Sequence, residues 1–186
     1  DSKFYGPGTL NIGDELIIQG DTSGATGATA TVDVDSSGSI TNFTISNDGS
    51  GYTLSENITL TGGTGTGATA TATIENIIKS VSIVNGGISF LENDEITIQG
   101  SSSNAIATVS VVNSNGTIET LTLTNAGSGY TIGESVTVSG GTGNSAEITA
   151  DIAGAVTGIT LDNPGSGYVG YDTISEFSTT TLLKLE

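Results

Sequence analysis

The feature that most constrains this chain is a segment that recurs along it. Residues 47–60 read NDGSGYTLSENITL, and residues 125–138 repeat the pattern as NAGSGYTIGESVTV, 78 positions later. A truncated copy, NPGSGY, occupies residues 163–168, which begin 38 positions after the second copy. Self-similarity at a fixed interval is typical of repeat proteins, in which each unit buries its apolar surface against its neighbours. The fold must therefore be built from copies of one small unit.

Two further copies are degenerate but keep the same register. Residues 83–98 carry Phe90 at the position of Tyr52, and residues 12–20 match the tail of the pattern. Neighbouring copies therefore begin 38 to 42 positions apart. A unit of about 39 residues is near the limit of what folds alone, so we expect neighbouring units to share a core. We divide the chain into an N-terminal partial repeat, three full repeats, and a C-terminal partial repeat with a terminal strand, at residues 1–35, 36–75, 76–113, 114–153 and 154–186.

Each unit is predicted to contain three short strands. The first carries apolar residues at i, i+3 and i+5, as at Ile40, Phe43 and Ile45, and the odd first step indicates a β-bulge. The second alternates branched apolar residues with Thr, and the third alternates Ala with Thr, as in residues 68–74. We predict an all-β fold of tandem repeats that form an elongated β-rod. Tandem β-sandwiches, a β-solenoid and an intertwined fibre all remain open, and tandem sandwiches are our first choice.

The composition excludes several classes of function. The chain has no His or Cys, so it cannot form the common zinc, copper or haem sites, a thiol nucleophile or a Ser-His-Asp triad. Three basic residues against 20 acidic ones give a formal charge of −17, which disfavours contact with nucleic acid or anionic membranes. No apolar run reaches the roughly 18 residues that a membrane-spanning helix needs. We therefore expect no enzyme, no nucleic-acid partner and no membrane insertion.

One aromatic residue follows the glycine-rich turn in four copies. We call these residues the turn rings: Tyr52, Phe90, Tyr130 and Tyr168. Glycine permits positive φ in the turn, and the ring that follows can fold back over the end of the sheet as a core plug. The alternative is a ladder of exposed rings that stack on sugars. The Phe in one copy favours the structural interpretation, because that ring lacks a hydroxyl for a sugar.

One carboxylate also recurs, two residues before the second strand's first apolar residue. We call these residues the entry carboxylates: Asp14, Glu56, Asp94, Glu134 and Asp172. A carboxylate in a turn commonly accepts backbone N–H bonds. The sharper hypothesis is Ca²⁺ binding, in which neighbouring acids supply further oxygen ligands. The sequence lacks an EF-hand loop and the glycine- and aspartate-rich nonapeptide of Ca²⁺-binding β-rolls, which argues against calcium. We therefore expect no cofactor and keep Ca²⁺ at the entry carboxylates as the one alternative.

The pattern Gly-Ser-Gly-Tyr-Thr-x-x-Glu-x-(Ile/Val)-Thr, followed by Gly-Gly-Thr-Gly and an Ala/Thr strand, resembles a repeat of virion structural proteins in tailed bacteriophages, particularly marine and cyanobacterial ones. The resemblance covers roughly residues 10 to 175. It implies a tail or neck fibre or a capsid decoration protein on the virion surface, and it offers no catalytic residues. Other virion subunits and further copies of the chain are the partners that it implies.

Two other functions are compatible with the same repeat. A bacterial surface adhesin or an extracellular filament subunit would use the same Gly- and Thr-rich β-units, with a cell-surface glycan as a candidate ligand. A polysaccharide depolymerase would need paired carboxylates. It ranks third, because the entry carboxylates occur only once per repeat and the chain has no Trp to line a sugar groove.

Overall fold

A computed structural model describes residues 13–21, 23–101 and 104–170 of the 186-residue chain. The described residues form antiparallel strands and no helix, which confirms the predicted all-β class. The local cause is the alternation of Thr with Ile, Val and Ala, since β-branched side chains pack well on a pleated surface. Glycine-rich segments between these runs supply the turns.

Ten strands follow one another along the described residues. They are β1 (Glu15–Gly20), β2 (Thr26–Val34), β3 (Ile40–Ser50), β4 (Ile58–Gly62), β5 (Thr66–Ile88), β6 (Glu95–Gln99), β7 (Asn104–Val112), β8 (Ile118–Asn125), β9 (Thr137–Gly140) and β10 (Asn144–Ser166).

The strands form two four-stranded sheets and one two-stranded ribbon. The first sheet has the order β3-β2-β1-β4, and the second sheet has the matching order β8-β7-β6-β9. The ribbon is the antiparallel pair of β5 and β10. In each sheet two neighbouring copies of the repeat are interleaved, because β1 and β4, or β6 and β9, are the second strands of successive copies. This pairing is the physical basis on which neighbouring units share a core.

The ribbon differs from the three short strands that we predicted for each unit. β5 and β10 each contain 23 residues, because the third strand of one unit continues without a turn into the first strand of the next. In β5, residues 73–78 join the two predicted strands, and they contain no Gly or Pro that would break the long strand. Two of the boundaries drawn from the sequence, 75/76 and 153/154, lie inside these long strands.

The predicted bulge is present. In β3, Asn42 pairs with Asp33 and Ile40 pairs with Val34, so Thr41 is left over between them. The extra residue turns Ile40 back towards the interior, where it is buried. A register shift at the equivalent step of the first strand recurs in the other three: β5, β8 and β10.

The core lies between the sheets and the ribbon. One part of the ribbon packs against the first sheet, as Ile74 and Val156 do against Ile18 and Ala30. The other part packs against the second sheet around Ile78. Alanines on the interior face of β2 and β7 are fully buried, so the layers approach closely at these strands.

The ribbon relates the two sheets by an approximate two-fold axis. Asn76 pairs with Gly154, the residue 78 positions later, so the repeat interval coincides with the pairing at the middle of both strands. Tyr52 N donates to Gly154 O at 3.2 Å, and Tyr130 N donates to Asn76 O at 3.3 Å, again 78 positions apart. The two halves of the molecule are therefore bonded to each other in equivalent ways.

Candidate functional site

The turn rings are interior groups. Their exposed fractions are 1% for Tyr52, 2% for Phe90, 2% for Tyr130 and 7% for Tyr168. Each backbone N–H at the ring position donates to a carbonyl on another copy, as Phe90 does to Gly116 O at 2.9 Å. This burial is what a core plug requires, and it leaves no ring face free for stacking on a sugar.

The hydroxyl of Tyr52 has a defined role. It donates to Ile18 O at 2.6 Å, and Ala28 N approaches it at 3.4 Å. Burial raises the pKa of this phenol above its usual 10.0. The ring thus joins β1 and β2 to the turn that follows β3.

Two of the rings pack on glycines of the Gly-Gly-Thr-Gly turns. A Cβ placed on Gly65 would lie 2.4 Å from the ring of Tyr168, and one on Gly143 would lie 2.3 Å from the ring of Phe90. Any side chain at these glycines would collide with the ring. The Gly-Gly-Thr-Gly motif of one copy is therefore the seat for the ring of another copy.

Asp94 shows how an entry carboxylate is used. Its Oδ2 accepts hydrogen bonds from Leu91 N at 3.0 Å, Thr142 N at 2.9 Å and Thr142 Oγ1 at 2.7 Å. The Leu91 N–H, together with the Thr142 donors, holds the pKa of this carboxyl below 3.8. The side chain ties its own turn to the Gly-Gly-Thr-Gly turn of the neighbouring copy.

Asp14 makes the same set of bonds in the first sheet. Its Oδ2 accepts from Thr64 N at 2.9 Å, from Thr64 Oγ1 at 2.7 Å and from Val169 N at 3.0 Å. Burial alone would raise the pKa of Asp14, but these donors outweigh it and lower the pKa below 3.8. The residue is only 9% exposed.

The two glutamates satisfy donors in a different turn. Glu134 Oε2 accepts from the hydroxyl and the N–H of Ser101, at the end of β6, and the hydroxyl is the main reason why the pKa of Glu134 lies below 4.5. Glu56 Oε2 accepts from Thr53 N at 3.3 Å and from Thr53 Oγ1 at 3.0 Å. Glu134 thereby holds the turn that follows β6, and Glu56 holds its own turn before β4.

The structure does not gather these acids into one place. No group of three or more His, Cys, Asp or Glu side chains suited to a metal ion occurs in the residues that the structure describes. Asp172, the fifth entry carboxylate, lies outside the described residues. Calcium binding stays a prediction, and each of the four described entry carboxylates has hydrogen-bond donors of its own.

Sequence reasoning missed the residues that these groups contact. Thr64 and Thr142 are the partners of Asp14 and Asp94, yet they stand in glycine-rich turns that were interpreted only as connections. The signal was available, since both threonines recur 78 positions apart together with the motif around them. Asn47 was also missed; its Oδ1 accepts from Gly49 N at 2.9 Å and shapes the turn before the ring, as its counterparts do in the other copies.

Several large apolar side chains are exposed on the surface of the described residues. Leu54 and Ile132 are about 60% exposed and follow Tyr52 and Tyr130 by two residues in their turns. Leu54 also lines an open cleft of about 550 Å³ beside the middle of the ribbon, together with Asn76. This cleft holds no cluster of catalytic side chains among the described residues.

No protein-family model, curated protein or solved structure matches this chain. Within the described residues, no helix is long and apolar enough to cross a bilayer.

Proposed function

We propose that this protein is a non-enzymatic structural component of a bacteriophage virion, a tail or neck fibre or a capsid decoration protein, and that it works on the virion surface. The observation that supports this role is the use made of the recurring residues. The turn rings fill the core, and the described entry carboxylates bind the N–H and hydroxyl donors of turns. Residues that a binding or catalytic repeat would expose are instead used to hold each copy to the next.

The proposed shape is an elongated rod of tandem repeat units. Strand pairing between neighbouring copies supports it, because β4 pairs with β1 and β9 pairs with β6. The two ribbon strands are 23 residues long and carry one sheet on each part of their length, so the two halves lie one after the other along the ribbon. Sedimentation velocity combined with small-angle scattering tests this proposal, and a frictional ratio close to that of a sphere would contradict it.

The virion role is tested by localisation. Gold-labelled antibodies raised against the chain are applied to phage particles purified from an infected culture and to uninfected cells from the same culture. Label on tails, necks or capsids of the particles supports the proposal. Label confined to the cell envelope would overturn it in favour of the second candidate, a surface adhesin or filament subunit. Glycan binding is then tested with the labelled structures.

The depolymerase ranks third. Asp94 and Glu134, its best carboxylates, each accept hydrogen bonds that hold turns, and a carboxylate with a lowered pKa is a poor general acid at neutral pH. Turnover of capsule or lipopolysaccharide by the purified chain, lost in Asp94→Asn, would reverse this ranking.

A further inference from the structure

The last described copy of the repeat is bonded to residues that lie far from it in the sequence. In the internal copy, Phe90 is followed by Leu91, then by Asp94 and β6. In the last copy, Val169 takes the position of Leu91, 78 positions later. The carboxylate bonded to Val169 is Asp14, which lies at the start of β1.

The bonds at the two positions correspond atom for atom. Leu91 N donates to Asp94 Oδ2 at 3.0 Å, and Asp94 N donates to Leu91 O at 3.1 Å. Val169 N donates to Asp14 Oδ2 at 3.0 Å, and Asp14 N donates to Val169 O at 2.7 Å. We call this second pair of bonds the terminal joint. Residues 13–34, which contain β1 and β2, therefore lie beside the Tyr168 turn at the place that β6 and β7 take beside the Phe90 turn.

The terminal joint differs from the internal one in a single respect. Leu91 and Asp94 are joined by two intervening residues, whereas Asp14 and Val169 are 155 positions apart in the chain. Residues 13–34, the N-terminal hairpin, are otherwise held by pairing with β3 and β4, by the bonds of Thr64 to Asp14 and of Tyr52 to Ile18, and by packing around Tyr52, Tyr168 and the ribbon. Each of these contacts is non-covalent.

The segment that joins the hairpin to the rest of the chain is short. Asp35 N donates to Ser39 O at 3.0 Å, and Asp35 Oδ1 accepts from Ser37 N at 2.8 Å and Ser39 N at 3.0 Å, so residues 35–39 form a tight turn between β2 and β3. A hairpin that a short connection joins to the rest of the fold is a usual unit of domain swapping.

We propose that the N-terminal hairpin of one copy completes the last repeat of a second copy of this chain. The hairpin leaves β3, β4 and the Tyr168 turn of its own copy and binds the same surface on the other, with residues 35–39 as the hinge. Reciprocal exchange gives a dimer, and one-directional exchange gives a head-to-tail chain. The inference rests on the bonds between Asp14 and Val169, and it stands whether or not the protein belongs to a virion.

The balance between closed and exchanged forms depends on concentration. Both forms contain the same contacts, so the closed form is favoured mainly because its hairpin is tethered near its site. A short tether gives an effective concentration on the order of mM, so exchange needs protein at comparable local concentration. Unfolding and refolding at high concentration lets both forms equilibrate.

The natural chain contains no Cys, so introduced thiols report on the terminal joint without interference. Glu15→Cys in one population and Val169→Cys in another place thiols beside the joint, on exposed side chains. The two full-length variants are mixed, unfolded, refolded at increasing concentration and treated with a short bismaleimide. We expect a cross-linked heterodimer whose yield rises with concentration, and an intrachain cross-link in the double variant at low concentration.

Leu91→Cys and Glu95→Cys form the matched control pair. They occupy the same positions in the internal copy. There the two bonded residues are close neighbours in one chain, so the contact cannot pass between chains. We expect their heterodimer only at the level of random collision, several-fold below that of the test pair. Equal yields from both pairs at every concentration, whether high or low, would overturn the proposal.

Discussion

At the scale of single residues, the turn rings have two kinds of partner. Tyr52 uses its hydroxyl as well as its ring, since the hydroxyl donates to Ile18 O inside the first sheet. Tyr168 is equivalent to Phe90, which lies 78 positions, or two units, earlier in the chain. A ring without a hydroxyl is therefore sufficient at this position. The sequence predicted the shared role, a core plug, from the glycine turn before each ring. It could not predict which hydroxyl reaches a carbonyl, because that depends on strands far away in the chain.

The residue-scale prediction compares Tyr52→Phe with Tyr168→Phe. Loss of the Tyr52 hydroxyl leaves the buried Ile18 carbonyl without this donor, so we expect the free energy of unfolding to fall by about 1 to 2 kcal/mol. Tyr168→Phe copies a residue that the fold already accepts at the equivalent position and should cost less than about 0.5 kcal/mol. Urea unfolding followed by tyrosine fluorescence and circular dichroism measures both. Equal losses in the two variants would contradict the assigned role of the Tyr52 hydroxyl.

At the scale of elements, the sequence predicted more about strands than about their connections. The i, i+3, i+5 spacing of Ile40, Phe43 and Ile45 predicted the bulge in β3, because the alternation of side chains records which way each one points. The fusion of two predicted strands into β5 was missed. Short strands were drawn from the repeat interval, and nothing local marks an end or a continuation at residues 75–76. The partners of the entry carboxylates were missed for a similar reason, since Thr142 lies 48 positions beyond Asp94.

The hydrogen bonds of the entry carboxylates predict that the stability of the fold depends on pH. Asp94 has a folded-state pKa below 3.8, so its bonds stabilise the fold above the unfolded-state pKa, and this stabilisation is lost as the pH falls through the folded-state value. Asp94→Asn removes the charge at every pH. We expect the gap in melting temperature between natural chain and variant to be widest at neutral pH and to close as the pH falls through the folded-state pKa.

The natural chain alone would not isolate this effect, because protonation of 20 acidic residues also relieves charge repulsion as the pH falls. Asp33→Asn, an exposed acid in β2 outside the entry positions, serves as the control. Its gap should be small throughout the range. A gap for Asp94→Asn that is constant from pH 7 to pH 2.5 would show that the ionised carboxylate adds nothing to the turn.

At the scale of the whole molecule, the ribbon makes one body of two similar halves. Its two strands pair at Asn76 and Gly154, and each half sends the backbone of its ring turn to the other half's strand at this central pair. The two equivalent positions differ in their side chains. Asn76 Nδ2 donates to Tyr130 O at 2.9 Å, whereas at Gly154 the carbonyl of Tyr52 occupies the space that a side chain would need. Lys79 adds a further tie, an ion pair with Asp48 of the first sheet at 2.6 Å.

The close contact at this central pair predicts a large difference in stability between substitutions at two glycines of β10. A Cβ on Gly154 would lie 1.8 Å from Tyr52 O, a backbone atom, so Gly154→Ala forces the strands and the first sheet's ring turn apart. On Gly158, four residues along, the nearest atom would be Thr73 Oγ1 at 3.3 Å. We expect Gly154→Ala to destabilise the fold by about 3 kcal/mol and Gly158→Ala by less than about 1 kcal/mol. Calorimetry tests directly whether the two halves unfold together. If the contacts at the central pair are weakened, the two halves should unfold less cooperatively, and the thermal unfolding transition of Gly154→Ala should be broader. Similar, sharp transitions for both variants would mean that the halves are coupled elsewhere than at the middle of the ribbon.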